Sequence, residues 1–225
     1  MRIRITAVSV VYKALIVLTG IYGLLLVFGI FDGRFSLSSL RFFTVLSNLL
    51  CVVYFAADIV YIITHKETLP VWFPALKGIA TMAITVTLLV AHFILGMCFT
   101  MADSLSLTLV VMHYAVPILT IADWLLFDPK GLMTFRSPLY WAIGPLLYFV
   151  YAMIAARIGG GIGYGGSRYP YPFMDVDQLG WGTVLLTILY LTAFFLALGY
   201  VWVSIDKGLA KVARRGTKAK SKQAG

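Results

Sequence analysis

The sequence predicts an all-α integral membrane protein with six transmembrane helices and both termini in the cytoplasm. Of its 225 residues, 61% are hydrophobic and only 12% are charged, and the mean hydropathy is +0.93. These values lie far from the balance of a soluble domain. Six apolar stretches are long enough to cross a hydrocarbon core of about 30 Å at a rise of about 1.5 Å per residue.

The six stretches define the predicted helices in chain order. They are Val8–Phe31, Leu40–Ile63, Ala75–Phe99, Leu105–Phe127, Pro138–Ile158 and Trp181–Ile205. The first follows Arg2 and Arg4 as in a signal sequence, but its apolar run is too long and lacks a small-residue cleavage site, so we expect a retained helix. Short linkers predict one transmembrane domain over residues 1–206, followed by a basic, disordered cytoplasmic tail over residues 207–225.

The predicted orientation comes from the positions of the 18 lysine and arginine residues. Most lie at the N-terminus, in the second and fourth connections and in the tail, whereas the other side carries Arg34, Arg41, Arg157 and Arg168. Cytoplasmic loops are enriched in these residues, which places both termini inside. The tail could contact anionic lipid headgroups or serve only to set the topology. Nucleic acid is not an expected partner, because no aromatic residues interleave the tail charges.

The two cysteines do not predict a disulfide framework or a metal site. Cys51 and Cys98 both fall within predicted spans and lack the spacing of paired metal ligands. We therefore expect neither a metal nor a cofactor.

The connection over residues 159–180 is rich in glycine and then in tyrosine and proline. Its glycines do not match a phosphate loop. The segment could be a lid over an outward-facing pocket, or an interfacial loop with its tyrosines at the level of the lipid headgroups. Asp175 and Asp177 could bind a cation, but two carboxylates without further oxygen ligands only weakly indicate such a site.

Three small polar residues share one face of the second predicted span. Thr44, Ser47 and Asn48 occupy positions i, i+3 and i+4. Polar groups inside a membrane are costly and usually face a cavity or a partner helix. This face is therefore the first candidate for a functional site.

Two histidines fall at nearly the same predicted depth as this face. His113 lies about 12 Å into the fourth span, and His92 lies almost level with it in the third. Pro117 has no amide hydrogen for the carbonyl of His113, so we expect the fourth helix to kink there and to face the bundle interior. The histidines could serve chemistry or only interhelical hydrogen bonding.

A threonine beside a histidine permits acyl transfer. The hydroxyl of Thr44 becomes nucleophilic when a base takes its proton, and the ordinary pKa of histidine, about 6.5, suits that role near neutrality. Asn48 or Ser47 could donate to the developing oxyanion, with His92 in a supporting role. The alternative is that the hydroxyls of Thr44 and Ser47 merely bond to carbonyls one turn earlier.

A resemblance to a known family rests on Phe42, Phe43, Thr44, Ser47 and Asn48, followed by His113 and Pro117. Over most of its hydrophobic region, in order and spacing, the chain resembles a bacterial member of the androgen-induced family of multipass membrane threonine hydrolases. Members of that family cleave fatty acid esters of hydroxy fatty acids. The resemblance implies that Thr44 is the nucleophile and His113 its base, with a lipid ester as substrate and the bacterial inner membrane as location.

Other functions stay open from the residues alone. The same outer cavity could belong to a small-molecule or proton-coupled transporter or channel, or to a non-catalytic lipid-binding protein. Asp58 and Asp123 fall near the inner ends of the second and fourth spans and need cationic partners. Lys13 is the best candidate, with Lys77 and Lys130 as others, and we interpret the group as a structural ion-pair clamp.

Overall fold

A computed structural model describes residues 6–65, 72–97 and 104–223, and the predicted all-α fold is confirmed. The described residues form helices and connecting turns, with no strand among them. Six of the helices are long and apolar enough to cross a membrane, so the chain is an integral membrane protein. Four residues named above lie outside the described residues: Arg2, Arg4, Cys98 and Phe99.

The described residues form seven α-helices. They are α1 Thr6–Val27, α2 Phe43–His65, α3 Trp72–Leu89, α4 Ser104–Val110, α5 Val116–Phe127, α6 Ser137–Ile158 and α7 Val176–Gln223. A π-helical segment, Val90–Ile94, extends α3, and a second one, Val111–Ala115, joins α4 to α5. The membrane-length spans are therefore α1, α2, α3 with its extension, the α4–α5 unit, α6 and α7.

The first two helices are shorter at their shared connection than hydropathy predicts. Helix α1 ends at Val27 because the chain turns at Gly29, whose φ of +71° is a left-handed conformation that glycine adopts without strain. A 3₁₀ turn, Ser38–Arg41, then precedes α2. Apolar residues in this connection extend the hydropathy signal beyond the helices themselves.

Helix α7 differs from the sequence expectation at both ends. It begins at Val176 and contains a break at Gly180, where φ is +73° and ψ is 157°. It then continues to Gln223, whereas we expected a disordered tail after residue 206. The tail is rich in alanine, lysine and arginine, which have high helix propensities, so a helix begun in the membrane can propagate through it.

A buried network of charges joins four helices at one end of the bundle. Lys13 on α1 contacts Asp58 on α2 at 2.9 Å and Asp123 on α5 at 3.0 Å. Lys77 on α3 contacts both Asp123 and Asp128. Asp123 is fully buried and accepts from both lysines. We call these five residues the Asp123 network; the end of the bundle that holds it is the Asp123 end, and the opposite end is the Thr44 end.

The Asp123 network should contribute strongly to stability through Asp123 itself. Asp123→Asn leaves two buried ammonium groups with incomplete partners, and removing one member of a buried ion pair costs about 3–5 kcal/mol. We expect a clear drop in the thermal unfolding midpoint in detergent, measured by circular dichroism. Asp177→Asn is the matched control because Asp177 pairs with Arg168 at an exposed site, and it should leave the midpoint nearly unchanged. Equal midpoints for the two variants would contradict the assigned role.

Candidate functional site

Thr44 and His113 meet at the Thr44 end of the bundle. Thr44 lies in the first turn of α2, and its Oγ1 is 3.1 Å from Nε2 of His113 in the π-helical segment between α4 and α5. Both side chains are half-buried and line a cavity of about 70 Å³. A hydroxyl and an imidazole from separate spans therefore share one hydrogen bond and one cavity.

The second nitrogen of His113 defines the direction of that hydrogen bond. Nδ1 lies 3.2 Å from the carbonyl oxygen of Leu109. A carbonyl only accepts, so Nδ1 carries the hydrogen, and in a neutral imidazole Nε2 is then the acceptor. The Thr44 hydroxyl donates to Nε2. This is the arrangement of a nucleophile, its base and a group that orients the base.

Pro117 explains why the backbone is irregular at His113. The proline cannot donate a hydrogen bond to the carbonyl of His113, and the helix passes through the π-helical segment Val111–Ala115 just before it. Pro117 predicted a kink at this residue, and the interruption takes the form of a π bulge, a feature often found at functional sites. The bulge allows the His113 carbonyl to go without a regular helical partner while the imidazole contacts Thr44.

Asn48 supports the site through the backbone. Its Nδ2 donates to the carbonyl of Thr44 at 2.8 Å and to the carbonyl of Met112 at 3.0 Å. The amide has two hydrogens, and both are used. Asn48 therefore joins α2 to the segment beside His113, and it has no hydrogen left for the oxyanion role that we considered.

Ser47 also points away from the cavity. Its Oγ lies 3.0 Å from the carbonyl of Thr44 and 2.7 Å from Oγ1 of Thr87 on α3. The serine thus makes the local hydroxyl-to-carbonyl bond that we stated as an alternative, together with a link to α3. Its side chain is buried, and it holds helices together rather than facing a substrate.

His92 is not brought to the Thr44 and His113 pair. It is exposed on the side of the bundle, and its Nδ1 lies 2.9 Å from the hydroxyl of Tyr114. The Tyr114 hydroxyl donates to the carbonyl of Met97 at 2.6 Å, so Nδ1 of His92 is the donor to Tyr114. Similar depth in the membrane did not place the two histidines together, because they face different directions around the bundle.

Tyr171 is a site residue that sequence reasoning did not identify. Its hydroxyl lies 3.4 Å from the backbone nitrogen of Thr44, which donates to it. The tyrosine is buried, lines the cavity and stacks on Phe173 with a centroid distance of 5.3 Å. Burial raises the pKa of Tyr171, so its hydroxyl keeps its hydrogen at neutral pH. The aromatic strip was visible in the sequence, but nothing in it indicated contact with Thr44.

The glycine-rich connection packs closely over the Thr44 end. A Cβ atom on Gly159 would lie 1.5 Å from the guanidinium of Arg41, and one on Gly163 would lie 1.9 Å from the carbonyl of Tyr169. Arg41 donates to the carbonyl of Gly160 at 2.8 Å. Glycine is needed at Gly163, where the close neighbour is backbone, whereas the Arg41 side chain beside Gly159 could move. The connection covers the cavity with buried Tyr171, which does not fit a loop whose tyrosines all face the headgroups.

The two acidic residues near the start of α7 have protein partners. Asp175 accepts from Ser167 at 2.7 Å and from the backbone nitrogen of Gln178 at 3.1 Å, as a helix N-cap does. Asp177 forms an exposed ion pair with Arg168. These contacts account for both carboxylates without a bound cation.

The cavity is apolar apart from a few polar groups near Thr44. Helices α3, α6 and α7 supply aliphatic and aromatic walls, including Pro145 and Leu146 of α6. Leu146 is also 40% exposed. The cavity is therefore not fully enclosed at this residue.

None of the protein-family models, curated proteins or solved structures compared with the chain matches it. The fold and the site therefore define the protein's class by themselves. It is an integral membrane protein with six membrane-length helices in the part of the chain that the structure describes, and with a threonine–histidine pair that faces an apolar cavity.

Proposed function

We propose that this protein is an intramembrane hydrolase of lipid esters, with Thr44 as nucleophile and His113 as general base. The proposal rests on one observation above all, the 3.1 Å contact between Oγ1 of Thr44 and Nε2 of His113. Because Nδ1 is oriented by the Leu109 carbonyl, the free lone pair of the imidazole faces the hydroxyl that it would deprotonate.

The reaction proceeds in two steps, acylation of Thr44 and hydrolysis of the acyl-threonine. Oγ1 of Thr44 attacks the ester carbonyl carbon while its proton moves to Nε2 of His113; the bond to the leaving alcohol then breaks, and His113 returns the proton to that oxygen. A water molecule next attacks the acyl-threonine, again giving a proton to His113. The acid leaves, and Thr44 regains its proton.

We assign two donors to the oxyanion. The backbone nitrogen of Thr44 lies in the first turn of α2, where amide hydrogens have no intrahelical acceptor and the helix dipole is positive. The Tyr171 hydroxyl lies 3.4 Å from that nitrogen, a long contact that a substrate oxygen could replace. Together they take the role that we considered for Asn48 and Ser47.

The apolar cavity favours long acyl esters. Leu146 of its wall is 40% exposed, and we place this side against lipid, so that an acyl chain could reach Thr44 without leaving the hydrocarbon phase. Fatty acid esters of hydroxy fatty acids, which the family resemblance implies, belong to this substrate class. A soluble short-chain ester would gain little from such walls.

The proposed orientation rests on charge, and the bacterial inner membrane is what the family resemblance implies. We place the protein in a bacterial inner membrane with both termini in the cytoplasm, which puts Thr44 in the outer leaflet. Helix α7 then projects into the cytoplasm and presents the exposed side chains Lys207, Lys211, Arg214 and Arg215. These residues could contact anionic lipid headgroups.

A covalent hydrolase probe tests the nucleophile. A fluorophosphonate should label the purified protein, and Thr44→Ala should abolish both labelling and hydrolysis of a long-chain ester. Thr192→Ala is the matched control because Thr192 lines the same cavity but donates to the carbonyl of Ile188 at 2.7 Å. Labelling that persists in Thr44→Ala would remove the nucleophile, and a wild-type protein that is neither labelled nor active would favour transport or lipid binding.

Removal of the Tyr171 hydroxyl should slow the reaction without blocking substrate binding. Loss of one oxyanion donor lowers kcat by about 10²–10³-fold, so we expect Tyr171→Phe to reduce kcat by roughly that factor with little change in KM. Tyr151→Phe removes a similar hydroxyl, which donates to the carbonyl of Leu40 at 3.3 Å and lies outside the cavity. It should retain wild-type kinetics. Equal rates for wild type and Tyr171→Phe would exclude the oxyanion role.

The orientation can be tested with single cysteines in a background that lacks Cys51 and Cys98. Ser36 and Lys211 are both exposed and lie at opposite ends of the bundle. In intact cells, a membrane-impermeant maleimide should label Ser36→Cys, and it should label Lys211→Cys only after the membrane is permeabilised. The reverse pattern would place Thr44 in the inner leaflet.

A further inference from the structure

The cavity at Thr44 extends to both sides of this residue. Ser47, nearly one helical turn after Thr44 on α2, contacts Thr87 on the antiparallel helix α3 at 2.7 Å. Thr44 therefore lies about one turn beyond Thr87, towards the Thr44 end. The lining residues of the α3 span run from Val86 to Leu95, which lie about 6 Å from the level of Thr44 in opposite directions. An ester carbonyl at Thr44 would have cavity space on both sides.

Packed side chains close the cavity at each end. At the Thr44 end, Tyr171 and Met174 of the connection between α6 and α7 line the cavity, and both are buried. Towards the Asp123 end, Val86 and Phe195 line it and belong to one apolar cluster. Water at either surface of the membrane is thus separated from Thr44 by packed side chains.

The cavity has few groups that could hold water away from the proposed catalytic pair. Among the described lining residues, three hydroxyls besides those of Thr44 and Tyr171 donate their single hydrogen to a backbone carbonyl. They are those of Thr87 at 3.2 Å, Thr192 at 2.7 Å and Tyr148 at 2.8 Å. A water molecule needs about two to four polar partners to be held in such a space. The cavity is therefore a poor site for water and a good one for alkyl groups.

Deacylation of Thr44 requires a hydroxyl group, which an alcohol supplies as well as water does. Either one can place its oxygen at the acyl carbon and direct its proton to Nε2 of His113. The alkyl chain of an alcohol would also be buried against the cavity walls, which contributes about fourfold in affinity for each methylene group taken out of water. With space on both sides of Thr44, the acyl chain can occupy one side and the alcohol the other.

We propose that this protein is also a transacylase, which moves the acyl group from Thr44 to a second lipid alcohol in preference to water. This inference rests on the proposed function, because it uses the same acyl-threonine. The acceptor's hydroxyl oxygen attacks the acyl carbonyl carbon while its proton moves to Nε2 of His113. The bond between that carbon and Oγ1 of Thr44 breaks, and His113 returns the proton to Oγ1. The products are a new ester and free Thr44.

The partition of products tests the transfer. The purified full chain in nanodiscs receives 4-nitrophenyl decanoate as donor and 1-dodecanol as acceptor. Release of 4-nitrophenol above that of empty nanodiscs reports acylation, and mass spectrometry measures dodecyl decanoate and decanoic acid. We expect more ester than acid from wild type, and neither product above background from Thr44→Ala. Less ester than acid, or ester formation that persists in Thr44→Ala, would overturn the proposal.

The same measurement separates this inference from the hydrolase. Release of 4-nitrophenol with decanoic acid as the main product would remove the transfer and leave the hydrolase standing. If the wild-type chain releases no 4-nitrophenol, both proposals are wrong.

A polar side chain placed in the cavity should shift the partition towards water. Leu191→Asn adds an amide to the cavity wall that can hold water, so we expect the ratio of ester to acid to fall about tenfold. Leu189→Asn is the matched control, because Leu189 is exposed on the same helix and does not line the cavity. It should keep the wild-type ratio.

An unchanged ratio in folded Leu191→Asn would contradict the proposed preference for an alcohol. If this variant does not fold, as judged by circular dichroism, the partition between ester and acid on the wild-type chain decides alone.

Discussion

The arrangement of the whole bundle depends on a buried carboxylate that requires positively charged partners. Asp123 is fully buried on α5, and two ammonium groups, from Lys13 on α1 and Lys77 on α3, lie against it. Lys13 also reaches Asp58 on α2. Because a buried charge without a partner is strongly unfavourable, this network restricts how four helices can slide or rotate relative to one another. Because α2 is one of these four helices, the network also restricts the position of its Thr44 end.

The requirement that buried polar groups have partners also organises the opposite end of the bundle. The amide hydrogens of Asn48 and the hydroxyl of Ser47 are used to join α2 to its neighbours, so they hold the backbone at Thr44 in place. The imidazole of His113 is oriented by the Leu109 carbonyl. The side chains of Thr44, His113 and Tyr171 line the cavity. Their placement at one apolar cavity is the basis of the proposed chemistry.

Part of the site could be predicted because it depends on local spacing. Thr44, Ser47 and Asn48 share a helix face by periodicity alone, and Pro117 implies an irregular backbone at His113 from its covalent structure. The roles within that face could not be assigned, since they depend on which carbonyls and hydroxyls of other helices come near. Depth in the membrane suggested His92 as a partner, but depth carries no information about the direction in which a side chain points around its helix axis.

By itself, the sequence determined that the chain is all-helical and membrane-embedded, with six spans, because hydropathy and length are properties of each segment. Only the tertiary structure decided that Tyr171, from a connection between α6 and α7, contacts the backbone of Thr44. Such contacts join residues far apart in the chain, and their distances depend on how all the helices and connections pack at once.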